Sequence, residues 1–344
     1  MLDPLRTRRI FVFILIFLAS CSGPVAPTEI PTSSPAPATP TVSPNEPSTP
    51  VPTPILKNWL NVSAMPIPNF EANAVAFDGK IYVAGGITTR NSLKSFMRFD
   101  PATNTWAELA PLPDFRNHLG MAVLNGKIYV SGGNYGEFSF DGQAKTFWVY
   151  TPETDQWAAL ADMPIGRSSH GMAEINGKLY VAGGMVPRAG DATELWVYEP
   201  ESNTWDASLA HLPTQRDHLV VTAYDGKLYV IGGRYSTNLP TVEIYDPVTD
   251  TWSQGPAMPT ARSGMAFAII NNQLHTIAGE DIDRYVVFMK HEVFDFASQT
   301  WTQLHDIPRP LNAPVAVAVD GYIYVMGGGS LTGNPYKDVW RFTP

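Results

Sequence analysis

The chain has 344 residues, 44% hydrophobic and 16% charged, with 31 prolines, 27 glycines, nine tryptophans and one cysteine. One cysteine excludes an intramolecular disulfide and any cysteine-rich metal site, and the low charge excludes a coiled coil. With 23 Lys+Arg against 32 Asp+Glu, a net charge of −9, the chain offers nucleic acid little to hold, so no nucleic-acid partner is expected.

Residues 1–20 have the pattern of an export signal. Arg6, Arg8 and Arg9 make a basic start, and Ile10 to Ala19 is an unbroken apolar run of ten. A membrane-spanning helix needs about 20 apolar residues, whereas a run of ten suits a secretory signal. The following Leu18-Ala19-Ser20-Cys21 resembles the lipobox of bacterial lipoproteins. That resemblance implies cleavage before Cys21 and acylation of its thiol, palmitate among the acyl groups. The expected location is the outer side of the cytoplasmic membrane or the cell surface, with Cys21 as the membrane contact. Removing residues 1–20 takes away Asp3 and three arginines, so the mature charge becomes −9 − 2 = −11. An anionic lipid surface would repel that body, which leaves acyl chains to hold it in place.

After Cys21, residues 22–56 hold eleven prolines, eleven Ser/Thr and no aromatic residue. Such a composition cannot bury a core, so residues 21–56 are expected to form a disordered tether of polyproline character.

From residue 57 to 344 the chain repeats. Trp59, Trp106, Trp157, Trp205, Trp252 and Trp301 are followed seven or eight residues later by Pro66, Pro113, Pro164, Pro213, Pro259 and Pro308. Nineteen residues beyond each proline stands the first residue of a Gly-Gly pair, at Gly85, Gly132, Gly183, Gly232 and Gly327, with Ala278 the exception. A period near 48 means a solenoid or a propeller. Asp78-Gly79, Asn125-Gly126, Asn176-Gly177, Asp225-Gly226 and Asp320-Gly321 join β-forming runs and mark tight hairpins. A second corner falls at Tyr150-Thr151-Pro152, Tyr198-Glu199-Pro200 and Tyr245-Asp246-Pro247. Each unit is therefore predicted to hold four short antiparallel strands: a before the hairpin, b ending in Gly-Gly, c ending at Tyr-x-Pro, and d starting at Trp.

Gly-Gly after strand b, then spaced Tyr and Trp, resembles the kelch repeat. The resemblance implies an all-β, six-bladed propeller over residues 57–344. Pro344 falls where strand c of the last unit stops, and the Trp59 segment is a strand d with no a, b or c before it. The Trp59 strand is thus expected to complete the last blade and remove its free edge. Periodicity assigns the tryptophans and tyrosines to packing between blades rather than to a carbohydrate surface, and Trp148, Trp196 and Trp340 near the c strands likewise.

Strand alternation puts the b-to-c and d-to-a loops on one face, and the length variation falls in the b-to-c loops. The d-to-a loops carry Arg116, Arg167, Arg216 and Arg262, each three residues after the repeat proline, with His118, His170 and His218 shortly behind. Asn69 and Leu311 replace the arginine in the first and last units. Two readings stay open. Arginines facing a central funnel would bind a carboxylate or an acidic peptide through bidentate donors; alternatively they are scaffold, bonding neighbouring backbone carbonyls. The kelch resemblance implies that this face binds ligands.

The fifth unit departs from the pattern at Asn271-Asn272, His275, Ala278 and Phe296, and its b-to-c loop opens with Glu280-Asp281-Ile282-Asp283-Arg284. Enzyme motifs are incomplete. His291-Glu292-Val293-Phe294-Asp295 lacks the second histidine of a zinc protease, and Gly166-Arg167-Ser168-Ser169-His170 lacks the last glycine of a nucleophile elbow. Gly327-Gly328-Gly329 precedes no helix and is no phosphate loop. The copper site of galactose-oxidase-type propellers needs a Cys–Tyr crosslink, and Cys21 lies outside the repeats. Ring geometry is expected to spread the three histidines apart, so no catalytic residue, metal or cofactor is assigned. The expectation is a non-catalytic binding module for a protein, peptide or glycan. The alternative is a small-sugar-acid isomerase similar to the sialic-acid epimerases, with His118, His170, His218 or Glu280 as its acid or base.

Overall fold

Short β-branched and aromatic runs bounded by Asn/Asp-Gly turns dictate hairpins, and hairpins are what form. A computed structural model describes residues 58–89, 91–136, 142–187 and 190–344. The expected signal segment, Cys21 and the tether lie outside the described residues. Six four-stranded sheets account for the repeat, each running a-b-c-d in antiparallel order. In the first blade these strands are Asn73–Phe77, Lys80–Ala84, Phe96–Asp100 and Thr105–Glu108. Among the described residues there is no helix.

Ring closure follows the expectation. Trp59–Asn61 pairs with Val339–Phe342, setting Trp59 opposite Phe342 and Asn61 opposite Trp340. The amide N–H groups of Val62 and Met65 extend the seam to the carbonyls of Val339 and Lys337, at 3.0 and 2.8 Å. The sixth sheet is thereby built from both ends of the repeat region, and its outer edge is filled.

Aromatic side chains fill the space between neighbouring blades. Phe147 of blade 2 meets Tyr198 and Trp205 of blade 3 edge-on, with ring centroids 4.7 and 5.0 Å apart. Such pairs add about 0.5–1.5 kcal/mol each beyond the buried area. Five of the six strand-d tryptophans also donate the indole N–H to a carbonyl of the preceding repeat: Trp106 to Ser63, Trp157 to Ala110, Trp205 to Ala161, Trp252 to Ala210 and Trp301 to Pro256, while the buried indole nitrogen of Trp59 has no hydrogen-bond partner among the described residues. The period of the tryptophans is the period of this contact.

The constant nineteen-residue interval has a backbone cause. The amide of the second glycine donates to the carbonyl of the next blade's arginine-register residue: Gly86 to Arg116, Gly133 to Arg167, Gly184 to Arg216, Gly233 to Arg262, Gly279 to Leu311 and Gly328 to Asn69. The first glycine lies against the same carbonyl. A Cβ on Gly132, whose φ is +56°, would stand 2.2 Å from the Arg167 oxygen, which no side chain tolerates. In the fifth blade Ala278 holds the same left-handed conformation, φ 59°.

Departures in that blade are repaired locally. Phe296, in place of the corner proline, stacks on Tyr224 at 3.7 Å. His275, in place of tyrosine, hydrogen-bonds His291 at 2.8 Å, and both rings lie near Phe342 of the closing blade.

Candidate functional site

The site forms where the six d-to-a loops meet the central channel. Five residues past each repeat proline stand Glu71, His118, Ser169, His218, Gly264 and Ala313, and all six adopt left-handed backbone, with φ between 46° and 55°. Each amide in this set donates to the carbonyl of its counterpart in the preceding blade: His118 to Glu71, Ser169 to His118, His218 to Ser169, Gly264 to His218, Ala313 to Gly264 and Glu71 to Ala313. The result is a closed six-membered hydrogen-bonded collar. These residues line the cavity at the channel axis. Below the collar the a strands line the channel with largely apolar side chains, including Ala74, Met121, Val221 and Phe267.

The collar carries a polar cluster. His118 Nε2 lies 3.2 Å from Glu71 Oε2, and His218 Nε2 lies 3.8 Å from Glu71 Oε1. The two imidazole centroids are 5.0 Å apart. Each Nδ1 has its own oxygen at 2.5 Å, from Asn117 for His118 and Asp217 for His218. Asn117 is fixed in turn by Ser92 and Asn134. Burial works to raise the Glu71 carboxyl pKa, but His118, His218 and Arg234 outweigh it and hold it at about 2.

One layer further out, Arg234 follows the fourth Gly-Gly pair. Its guanidinium reaches Asp217 Oδ1 at 3.1 Å, Glu280 Oε1 at 2.6 Å and Ser263 Oγ at 3.4 Å, and Nη2 lies 3.1 and 3.2 Å from the two nitrogens of His218. Burial disfavours the Arg234 charge, yet Asp217, Glu280 and Glu71 more than offset it and raise its pKa. Burial raises the Glu280 carboxyl against the lowering effect of Arg234. Asp191 titrates at about 7, because it is desolvated and beside the Asp217 charge, while His218 and Arg234 keep Asp217 itself at about 2 despite burial.

The four arginines do not face this funnel. Arg167, Arg216 and Arg262 are 0% exposed and Arg116 only 3%. In blades 2 and 3 the guanidinium carbon lies over Trp148 and Trp196, 4.7 and 3.7 Å from the ring centroids. In blades 4 and 5 the strand-c position of those tryptophans holds Glu243 and Glu292, which form buried ion pairs with Arg216 and Arg262. The remaining donors go largely to backbone oxygens, including Arg116 to Phe115, Arg167 to Glu194, Arg216 to Gly232 and Arg262 to Thr276. Of the two readings open from sequence, the scaffold one describes the geometry. The side chains lie within their blades because a buried guanidinium must spend its donors on fixed acceptors.

The histidines divide. His118 and His218 meet at the axis, contrary to the expectation that ring geometry separates them, because the collar residues all point toward one centre. His170 does not join them. It stands one residue later in the repeat, beside the collar's Ser169, and its Nε2 hydrogen-bonds Ser131 at 2.7 Å. Burial, with a smaller contribution from Arg167, lowers its pKa to about 3. Glu71, Asp191, Asp217 and Arg234 were not singled out from sequence. Counting five residues past Pro66 would have found Glu71 in register with His118 and His218.

A six-bladed β-propeller with variable loops and a charged cluster at one channel mouth belongs to the class of repeat scaffolds that carry their specificity on that face. The sequence matches the KLHDC2/KLHL20/DRC7 Kelch-repeats domain over residues 55–184 and 121–328. The chain belongs to the kelch-repeat family. It is 31% identical over 315 residues to "Kelch-like protein terF" of Aspergillus terreus, covering 82% of this chain and 66% of that protein. It is 28% identical to "Kelch-like protein 35" of Mus musculus, covering 77% of this chain and 44% of that protein, and 26% identical to "Alpha-scruin" of Limulus polyphemus, covering 76% and 31%. The chain therefore spans between about a third and two thirds of these relatives. Among solved structures, "Structure of YjhT" superposes with a TM-score of 0.70 at 17% identity, covering 82% of this chain and 97% of that one, a likeness of fold.

Proposed function

We propose that the protein is an exported lipoprotein, acylated at Cys21, that displays its propeller as a non-catalytic binding module for a protein, peptide or glycan. The observation that carries the binding role is the distribution of exposed apolar side chains. Among the described residues, Tyr135, Ile165, Ile282, Tyr285 and Val286 are exposed on b-to-c and d-to-a loops of one face, and only Leu60 and Val248 lie elsewhere. Exposed apolar groups gathered on one face favour contact with a partner surface. Tyr285, 73% exposed, caps the small hairpin in which Glu280–Asp281 pairs with Val286–Val287. Photo-crosslinking from position 285 in intact cells, compared with position 248 on the opposite rim, tests the reading. A partner captured from 285 alone supports it; equal capture from both, or none from 285, overturns it. For the anchor, Cys21→Ser should move the protein from the membrane to the soluble fraction, and continued membrane retention refutes it.

The Arg234 cluster gives specific support to the second reading, a small-sugar-acid isomerase. Asp191, titrating at about 7, suits acid–base work at neutral pH, and Arg234 would take a substrate carboxylate by exchanging it for Asp217 or Glu280. Accelerated exchange between sialic-acid anomers, followed by NMR with added protein, would favour it over simple binding. Unchanged exchange would eliminate it.

A further inference from the structure

We propose that Glu71, His118 and His218 of the collar form a binding site for one divalent transition-metal ion of the zinc type, independent of what the loop face recognises. Their ligating atoms all lie within 4.8 Å of one another. Tetrahedral zinc with bonds of about 2.0–2.2 Å holds its ligand atoms about 3.3 Å apart. Glu71 Oε2 stands 3.2 Å from His118 Nε2 and Glu71 Oε1 stands 3.8 Å from His218 Nε2, so side-chain rotations that draw the three donors together to about 3.3 Å complete the site.

The outer ring nitrogens of both histidines are held by fixed acceptors. The Asn117 amide nitrogen donates to Ser92 and its oxygen accepts from Asn134, so this oxygen can only accept from His118. His118 must therefore donate from Nδ1. His218 likewise must donate from Nδ1 to the Asp217 carboxylate, 2.5 Å away. With Nδ1–H held outward, a metal that displaces the remaining ring proton meets the Nε2 lone pair of each imidazole, and both Nε2 atoms face the Glu71 carboxylate. The Glu71 carboxylate draws positive charge to that centre, as ring protons in the metal-free protein or as one metal ion in their place. An outer oxygen fixing Nδ1–H while Nε2 points to a common centre is the arrangement by which proteins orient metal-binding histidines. Two histidines and one carboxylate, all lining the axial cavity, leave the remaining coordination position to water or a ligand oxygen.

Charge balance points the same way. Asp217 and Glu280 pair with a single guanidinium, that of Arg234, the Glu71 charge acts on it from further off, and Asp191 adjoins Asp217. Glu280 Oε2 is buried with no hydrogen-bond partner among the described residues. Buried carboxylates in excess of the guanidinium are costly unless further positive charge, on the two imidazoles or on a bound ion, joins them. Arg234 does not occupy the proposed position. Its Nη2 is almost equidistant from both nitrogens of His218, which places it against the ring rather than on the Nε2 lone pair.

The test uses the full-length chain, without an affinity tag, in detergent. Isothermal titration with Zn2+ and optical titration with Co2+ should each show one equivalent bound, with zinc displacing cobalt. His118→Asn, His218→Asn and Glu71→Gln should each weaken zinc binding by at least about tenfold, and His211→Gln and His305→Gln should not. Absence of a one-equivalent site, or unchanged affinity in all three collar variants, overturns the proposal. Should a collar variant fail to fold, the wild type decides alone: zinc should shift the Nε2 resonances of two of the seven histidines in long-range 1H–15N spectra. Shifts confined to other histidines overturn the site.

Discussion

Trp59, in the first described strand, lies opposite Phe342 in the last, with ring centroids 4.8 Å apart. This pair couples the two ends of the repeat region, because the Trp59 strand supplies the edge that the sixth sheet otherwise lacks. Trp59 is buried and also faces His291 of blade 5 at 5.6 Å. Trp59→Ala should cost about 3–5 kcal/mol from the cavity and lost burial. Denaturant unfolding followed by tryptophan fluorescence measures it, and a loss below 1 kcal/mol would mean that the seam contributes little to closure.

The repeat arginines should behave as structure. Arg216→Ala leaves Glu243 buried and unpaired, so it should destabilise by about 3–5 kcal/mol. The double replacement Arg216→Met with Glu243→Leu should recover much of that loss, since the two charges leave together. Equilibrium denaturation of the single and double variants checks both. Arg216→Ala with an unchanged melting curve would contradict the burial of this pair.

Acid should weaken the fold through buried histidines. Burial lowers His170 to about 3, His275 to about 4 and His291 to about 3 from an ordinary 6.5, with Arg167 and His275 adding to the effect at His170 and His291. Between those values and 6.5 the unfolded chain binds protons that the folded chain refuses, so stability falls as the pH drops through that window. Each histidine contributes a slope of about 1.4 kcal/mol per pH unit there. His170→Gln should flatten the profile of unfolding free energy against pH between 6 and 4; an unaltered slope would count against the assignment.

Asp191 should have the opposite sign. Desolvation and the Asp217 charge raise its carboxyl to about 7, so the folded chain binds the extra proton between pH 4 and 7 and loses stability as the pH rises through that window. Asp191→Asn should therefore be stabilising relative to the wild type at pH 8 and nearly neutral at pH 4. The side-chain carboxyl resonance of Asp191 should titrate near 7, and a midpoint below 5 would disprove the shift.

The blade count, strand order, hairpin positions and Trp59 closure were all legible in the amino-acid sequence. Each depends on local chemistry repeated at a fixed interval: Asn/Asp-Gly turns, a glycine pair under a neighbouring carbonyl, a tryptophan reaching the previous repeat. The partner of the repeat arginine was legible as well, had the position nine residues before each strand-d tryptophan been compared. Trp148 and Trp196 stand there in blades 2 and 3, Glu243 and Glu292 in blades 4 and 5.

The site itself needed three dimensions. Glu71, His118 and His218 come from blades 1, 2 and 4 and meet because six left-handed residues donate to one another around a closed collar. His170, one residue out of register, still borders the axial cavity, but that single step turns its Nε2 to Ser131 instead of Glu71. Asp217, Arg234 and Glu280 join the cluster from separate loops. Repetition fixes what each blade does for its neighbour. Ring closure alone decides which side chains share the axis, because convergence on a centre is a property of the circle and of no single blade.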